Sequence, residues 1–377
     1  TSSASESKTI ASVIYNRLQA ISRVISSKSI YPILDNFLFC IENGKLTVTA
    51  ADSDTTLETV VELTECDKDG QVALPAKTLL DALKEIPEQP LMFSINDDNF
   101  ETLVKYQNGE YNLIGLNADE YPTSAVLQEP VSFELPSQVL LEGLTRTIFA
   151  TADDELRPVM NGIYFDINSE GATFVASDGH KLVCSRNSIA QLADRSSFIL
   201  PKKPASLMKA ILAKESENVS IEFDNRVARF SLPEFRMVCR LIDGRYPNYN
   251  SVIPQNNPHL LTIDRATLLT ALRRVAIFSP ASSGLVKLRI QQNQLSIFSQ
   301  DKDFSVSAKE SMTCQYEGVP MSIGFKSSFL IDILNSIPSQ EITIKLADPA
   351  RAGVFVPSVQ EENENLLMLL MPMVLND

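Results

Sequence analysis

Side chains able to move protons, attack carbonyls or hold metals are sparse in this chain. Its 377 residues include two histidines, His180 and His259. Asp178-Gly179-His180 sets a carboxylate beside an imidazole, the beginning of a general-base dyad. No partnered nucleophile accompanies it, so a hydrolase reading rests on Asp178 and His180 alone. Ala152-Asp153-Asp154-Glu155 is an acidic loop that either holds a hard cation or simply follows a helix. No P-loop, His-Glu-x-x-His or Gly-x-Ser-x-Gly pattern occurs. Cys40, Cys66, Cys184, Cys239 and Cys314 are scattered without a C-x-x-C pair and read as reduced, packed thiols. The expectation is a non-enzyme with no metal and no cofactor. What remains is the chemistry of charge: lysines and arginines positioned against phosphate.

The elements that position those cations recur. Leu200-Pro201-Lys202-Lys203-Pro204 leads into an amphipathic helix carrying Leu207, Met208, Ile211 and Leu212. Leu74-Pro75-Ala76-Lys77 leads into Leu79, Leu80, Leu83 and Ile86, and Gly324-Phe325-Lys326 into Phe329, Leu330, Ile333 and Leu334. A unit returning after roughly 125 residues signals three copies of one domain. The boundaries implied are 1–128, 129–255 and 256–377. Each copy reads as helix, hairpin, helix, hairpin. Helices are expected over 7–25, 76–86, 137–149, 202–214, 265–278 and 326–337. Asn43-Gly44 and Asn108-Gly109 mark tight turns between strands. The fold class is α+β, two helices on antiparallel sheet, three times in tandem. Hydrophobic residues make up 44% of the chain, enough for a core in each copy. No apolar run reaches the ~18 residues of a membrane span. The serine-rich start lacks a basic stretch followed by an apolar run, and no secretory leader is expected there.

The net charge is −14, which argues against a basic outer face. Its distribution is uneven. The six helix windows hold fourteen bases and four acids, a net of +10, and the remainder of the chain carries −24. Glutamate is as good a helix former as lysine, so propensity alone does not explain the bias. A surface made of helices facing a polyanion does. Two chains of three copies supply twelve helices. At a spacing of roughly 10 Å they close a circle of axes about 38 Å across, and a helix radius of about 5 Å per side leaves a hole of about 28 Å. Duplex DNA passes such a hole, held through phosphate charge and not through sequence.

Several stretches carry a family likeness. They are Arg157-Pro-Val-Met-Asn-Gly-Ile-Tyr-Phe-Asp166, Val175-Ala-Ser-Asp-Gly-His-Lys-Leu-Val-Cys184, Leu241-Ile-Asp-Gly-Arg-Tyr-Pro-Asn-Tyr249, Tyr31-Pro-Ile-Leu-Asp-Asn36 and Leu370-Met-Pro-Met373. In this order and across the whole chain they resemble the bacterial DNA polymerase III beta subunit family, the sliding clamps. The resemblance implies a head-to-tail homodimeric ring with helices lining its hole. It implies a cytoplasmic, nucleoid-associated processivity factor that encircles duplex DNA. Its partners would be the clamp loader, the polymerase III alpha subunit and other proteins bearing a clamp-binding motif.

Carried over by motif, the partner-peptide cleft comprises Arg157, Met160, Ser177, Gly179, His180, Lys181, Leu182, Pro247, Ser251, Val252, Leu370, Met371, Pro372 and Met373. Leu182, Pro247, Val252 and Met373 would offer apolar surface to an extended peptide. The DNA-facing set is Arg23, Lys28, Lys77, Lys84, Arg146, Lys202, Lys203, Lys209, Arg273, Arg274 and Lys326. The dimer interface would join Tyr111 and Leu113 to Ile277 and Phe278. Lys181 stands where the family usually has Arg, and Asp154 where it has Gln. A peptide-binding scaffold without DNA work is the competing reading.

Overall fold

The computed structural model describes residues 4–376. Six helices are present among them: α1 Ala11–Ser22, α2 Ala76–Lys84, α3 Ser137–Thr147, α4 Lys202–Leu212, α5 Arg265–Ala276 and α6 Ser327–Ser336. Each sits in the same local sequence of elements: one strand, the helix, then three strands. This half-unit occurs six times, twice in each third of the chain. The two-residue strand Glu65–Cys66 and five short 3-10 helices are the additions among the described residues.

A strand end was read before the second helix of each copy, at Leu74, Leu200 and Phe325, but the strand before the first helix of each copy is absent from the hairpin pattern read in the sequence. It runs straight into the helix without turn residues to announce it. Pro75 and Pro201 end two of the strands before second helices, and Pro75 is the N-cap of α2, so proline stands one place before the helix rather than inside it. The expected helix over 7–25 is corrected most. Ala4–Ile10 is a strand paired with Pro90–Asn96, and α1 begins at Ala11. Ser7 and Thr9 are buried there while Ile10 is exposed, an alternation of period two. Backbone pairing outweighed a weak helical stripe.

The chain divides into two compact units. One is the chain through Gln138 with Ser206–Leu241; the other is Val139–Ala205 with the chain from Ile242 onward. Edge-to-edge pairing joins strands from different thirds of the chain into one sheet within each unit. In the first unit, Gly70–Pro75, Asn36–Glu42, Lys45–Ala51 and Thr55–Val61 form four strands of an eight-stranded sheet. Phe235–Arg240 pairs antiparallel with Thr55–Val61 and continues it through Val227–Ser231, Asn218–Phe223 and Val131–Pro136. Arg17 on α1 clamps this joint. It donates to the Val60 carbonyl at 2.8 Å and pairs with Glu234 at 2.6 Å.

The second unit repeats the arrangement. Ser196–Pro201, Gly162–Asn168, Gly171–Ser177 and Lys181–Asn187 form four strands, and Glu364–Leu370 continues the sheet by pairing with Lys181–Asn187. Its largest core lies between α5, α6 and their sheets, with Leu268, Leu272, Ile297, Phe325, Ile333 and Phe355 fully enclosed. In each sheet the lead strand of one half-unit pairs with the three strands of the other. Two sheets keep an edge without this extension, at Gly109–Ile114 and at Val306–Thr313. No helix is long and apolar enough to cross a membrane among the described residues.

Candidate partner cleft and cationic helices

The cleft grows from the turn between Gly171–Ser177 and Lys181–Asn187. Asp178 Oδ1 accepts from the His180 and Lys181 amides, both at 2.9 Å, and Gly179 adopts φ +90°, where a side chain would be strained. A β-carbon on Gly179 would also stand 3.2 Å from the Arg157 guanidinium. Ser177 Oγ donates to the Lys181 carbonyl at 2.9 Å and closes the turn. The turn lifts His180 into solvent, its ring stacked on Phe329 of α6 at 5.7 Å between centroids.

Three further segments meet this turn. Arg157 donates to Asp154 at 2.8 Å and reaches the Asp178 carbonyl at 3.4 Å. The C-terminal strand pairs Leu370 with Lys181, and beyond it the Met371 amide donates to the His180 carbonyl at 2.9 Å. Met373 then donates to the Gly324 carbonyl at 2.7 Å, where a β-carbon on Gly324 would crowd the Met373 carbonyl at 3.1 Å. The linker supplies Pro247, Ser251 and Val252, all exposed. It is held from beneath by Tyr246 and Tyr249, which share a cluster with Leu182, Val175 and Leu369. Tyr246 stacks on Tyr164 at 4.6 Å, and Tyr249 donates to the buried Asp166 at 2.9 Å. Arg195 grips both oxygens of that carboxylate at 2.8 and 2.9 Å.

Five expected cleft residues, Met160, Ser177, Lys181, Leu182 and Leu370, are buried. Lys181 is 5% exposed; its Nζ pairs with Asp178 Oδ2 at 2.7 Å and lies 4.0 Å from the Phe329 ring centroid. Met160 is buried under the Arg157 turn, and Leu182 and Leu370 belong to the core. Phe329 is the member that motif matching missed. Its place in the apolar stripe of α6 made it look like core, but only the fold brings His180 onto it. Lys326, expected among the DNA-facing cations, stands 4.8 Å from the same ring, beside the cleft.

The hydrolase reading fails on geometry. Burial alone would raise the Asp178 pKa, but the Lys181 ammonium and the two backbone amides overcome it and hold the carboxyl below its ordinary value. That carboxylate is committed to Lys181, and the His180 ring faces Phe329. The acidic loop is likewise engaged: Asp153 pairs with Lys202 at 3.1 Å and Asp154 with Arg157. Among the described residues no group of three metal-ligating side chains stands together.

Within their observed limits the six helices hold ten bases and three acids, a net of +7. The surplus is smaller than expected because Lys8 lies in a strand, paired with Glu65, Lys214 lies past α4, and Arg23 and Lys326 flank α1 and α6, while Glu85 is the one acid lost. Arg146 is 8% exposed and pairs with Glu364 at 3.0 Å and Glu142 at 3.7 Å, so it faces protein, not solvent. Arg23, Lys28, Lys77, Lys84, Lys203, Arg273 and Arg274 are exposed. Lys202 and Lys209 are half-buried. Ile277 is 77% exposed and Phe278 partly so, whereas Leu113 is buried and the neighbouring Ile114 turns outward.

Three family models cover this chain: the N-terminal, central and C-terminal domains of the DNA polymerase III beta subunit, at residues 10–125, 134–248 and 250–374. The beta sliding clamp of Pseudomonas putida is 28% identical over 352 residues, 93% of this chain and 95% of that one. That of Escherichia coli K12 is 27% identical, covering 94% of this chain and 96% of its own. A crystal structure of the polymerase III beta subunit of Pseudomonas aeruginosa has TM-score 0.92 at 26% identity, covering 98% of this chain and all of that one. The Bartonella birtlesii sliding clamp bound to griselimycin has TM-score 0.91 at 27% identity, covering 99% of this chain and all of that one. With three clamp-domain models end to end on one polypeptide, this chain belongs to the bacterial DNA polymerase III beta subunit family, the sliding clamps.

Proposed function

We propose that two copies of this chain close head to tail around duplex DNA and hold replication proteins on it. The protein is a processivity factor, not an enzyme. The observation that carries the ring is the rule of sheet joining. Inside the chain, Thr55–Val61 pairs with Phe235–Arg240, and Lys181–Asn187 pairs with Glu364–Leu370. In each joint the last strand of a first half-unit meets the last strand of the next second half-unit. The same rule applied to the remaining edges pairs Val306–Thr313 of one copy with Gly109–Ile114 of another. Unpaired edges invite such pairing. Ile277, Phe278, Tyr111 and Ile114 would lie beside that seam.

The domains of such a ring would span 1–128, 129–255 and 256–377. Arg23, Lys28, Lys77, Lys84, Lys202, Lys203, Lys209, Arg273 and Arg274 would line the hole. Their weak, sequence-independent attraction to phosphate permits sliding, while encirclement provides retention. The acidic remainder repels DNA from other faces. Partners, including the polymerase alpha subunit and the clamp loader, would dock an extended peptide between His180, Arg157, Val252 and Met371–Met373. Griselimycin, which the B. birtlesii clamp binds, is a proposed ligand as well. The place of work is the cytoplasm, at the nucleoid.

Clamps loaded on nicked circular DNA and then linearised provide the test. Release that follows linearisation and is slow on closed circles supports encirclement. Equal, salt-sensitive release from both forms refutes it.

A further inference from the structure

The backbone frame of the cleft occurs a second time, in the other unit. At the joint of Thr55–Val61 with Phe235–Arg240, Asp52 Oδ1 accepts from the Asp54 and Thr55 amides at 2.9 and 2.7 Å. Asp178 treats His180 and Lys181 in the same way. The Arg240 amide donates to the Asp54 carbonyl at 2.9 Å, as Met371 does to His180. Tyr121-Pro122 opens the linker here and Tyr246-Pro247 opens it there, both tyrosines buried. Farther along each linker a valine stands in solvent, Val126 at 83% exposure and Val252 at 57%. Between turn, linker and strand end lies a cavity of about 280 Å³.

We propose that this cavity is a second docking groove, for an extended protein segment bearing lysine or arginine. The shared frame supplies the shape, and the side chains at equivalent places supply the difference. Asp54 replaces His180, Thr55 replaces Lys181, and Arg240 replaces Met371. Thr55 therefore brings no ammonium to this turn, where Lys181 brings one to the other. Asp52, Asp54 and Asp224 line the cavity, with Pro122, Val126 and Val238 as its apolar wall. Arg226 and Arg240 also line it, but Arg240 meets Asp54 only at 3.7 Å with both side chains exposed. Such a surface pair is worth little, so a ligand cation can take its place. Asp224 accepts from the amides of Gln128, Arg226 and Val227, which tie linker to sheet and hold the carboxylate ionised.

The proposal rests on reading the equivalent joint as a peptide cleft, so the test reports the two separately. The probes are a hexapeptide of alternating Leu and Arg with a terminal benzophenone, its Leu–Glu counterpart, and griselimycin, all offered to the full-length protein. The Arg peptide is expected to crosslink within 52–56 or 122–128 and to resist displacement by saturating griselimycin. Asp54→Lys should weaken it at least tenfold and Asp54→Asn severalfold, with griselimycin affinity unchanged in both. A failure of griselimycin to bind would count against the other cleft and leave these crosslinks standing. Crosslinks elsewhere or none, displacement by griselimycin, or equal crosslinking by the Glu peptide would each overturn the second groove.

Discussion

Asp178 and Lys181 show what a single side-chain direction decides. Their ion pair is largely enclosed, so removing one partner strands the other's charge. Asp178→Asn should therefore cost about 3 kcal/mol of unfolding free energy at pH 7, the scale of a broken buried pair. The Asp178 pKa is depressed on folding, so its contribution is present above the ordinary carboxylate value of 3.8 and fades as pH falls through the lower folded value. Urea titrations of wild type and variant should differ by a constant amount from pH 7 down to about 4, then converge. A gap that widens in acid would contradict the assignment. Arg146 follows the same logic. Arg146→Met should destabilise by about 3 kcal/mol, leaving Glu364 buried without its cation. The folded fraction should slide on DNA as wild type does, because this guanidinium faces protein. Residue type alone made both cations look available to ligands; burial reassigned them.

At the level of elements, the joints matter more than the helices. Ile277 follows α5 and is 77% exposed in the single chain, so Ile277→Asp should change the melting temperature of the monomer little. It should weaken dimerisation at least tenfold, since burying an isoleucine is worth about 1.5–3 kcal/mol and burying a charge costs more. Light scattering across a dilution series reads this directly. The C-terminus divides at a sharper point than its motif suggests. Leu370 is a strand residue paired with Lys181 and Gly353, and it is core. Removing Met371 onward should abolish peptide binding and keep the fold, whereas removal from Leu370 onward should also lower stability. Calorimetry on the two truncations distinguishes them.

For the whole molecule, charge acts collectively. Lys84→Glu with Lys203→Glu should shorten retention on nicked circles at low salt severalfold and change it little at high salt, where screening removes the attraction. Persistence of the effect at 1 M salt would point to a structural lesion instead. Pattern along the chain was enough to establish the α+β class, the three-fold return of a lysine-led amphipathic helix and the surplus of cations on helices, because periodicity and composition are local properties. The lead strand before the first helix of each copy, such as Ala4–Ile10, stayed hidden because its partner lies far away in sequence, here at Pro90–Asn96. Which lysines reach solvent, which sheet edges stay open, and the meeting of His180 with Phe329 across some 150 residues were decided by tertiary packing alone. Burial and long-range pairing are properties of the folded neighbourhood, and no spacing along the chain encodes a neighbour that arrives from elsewhere.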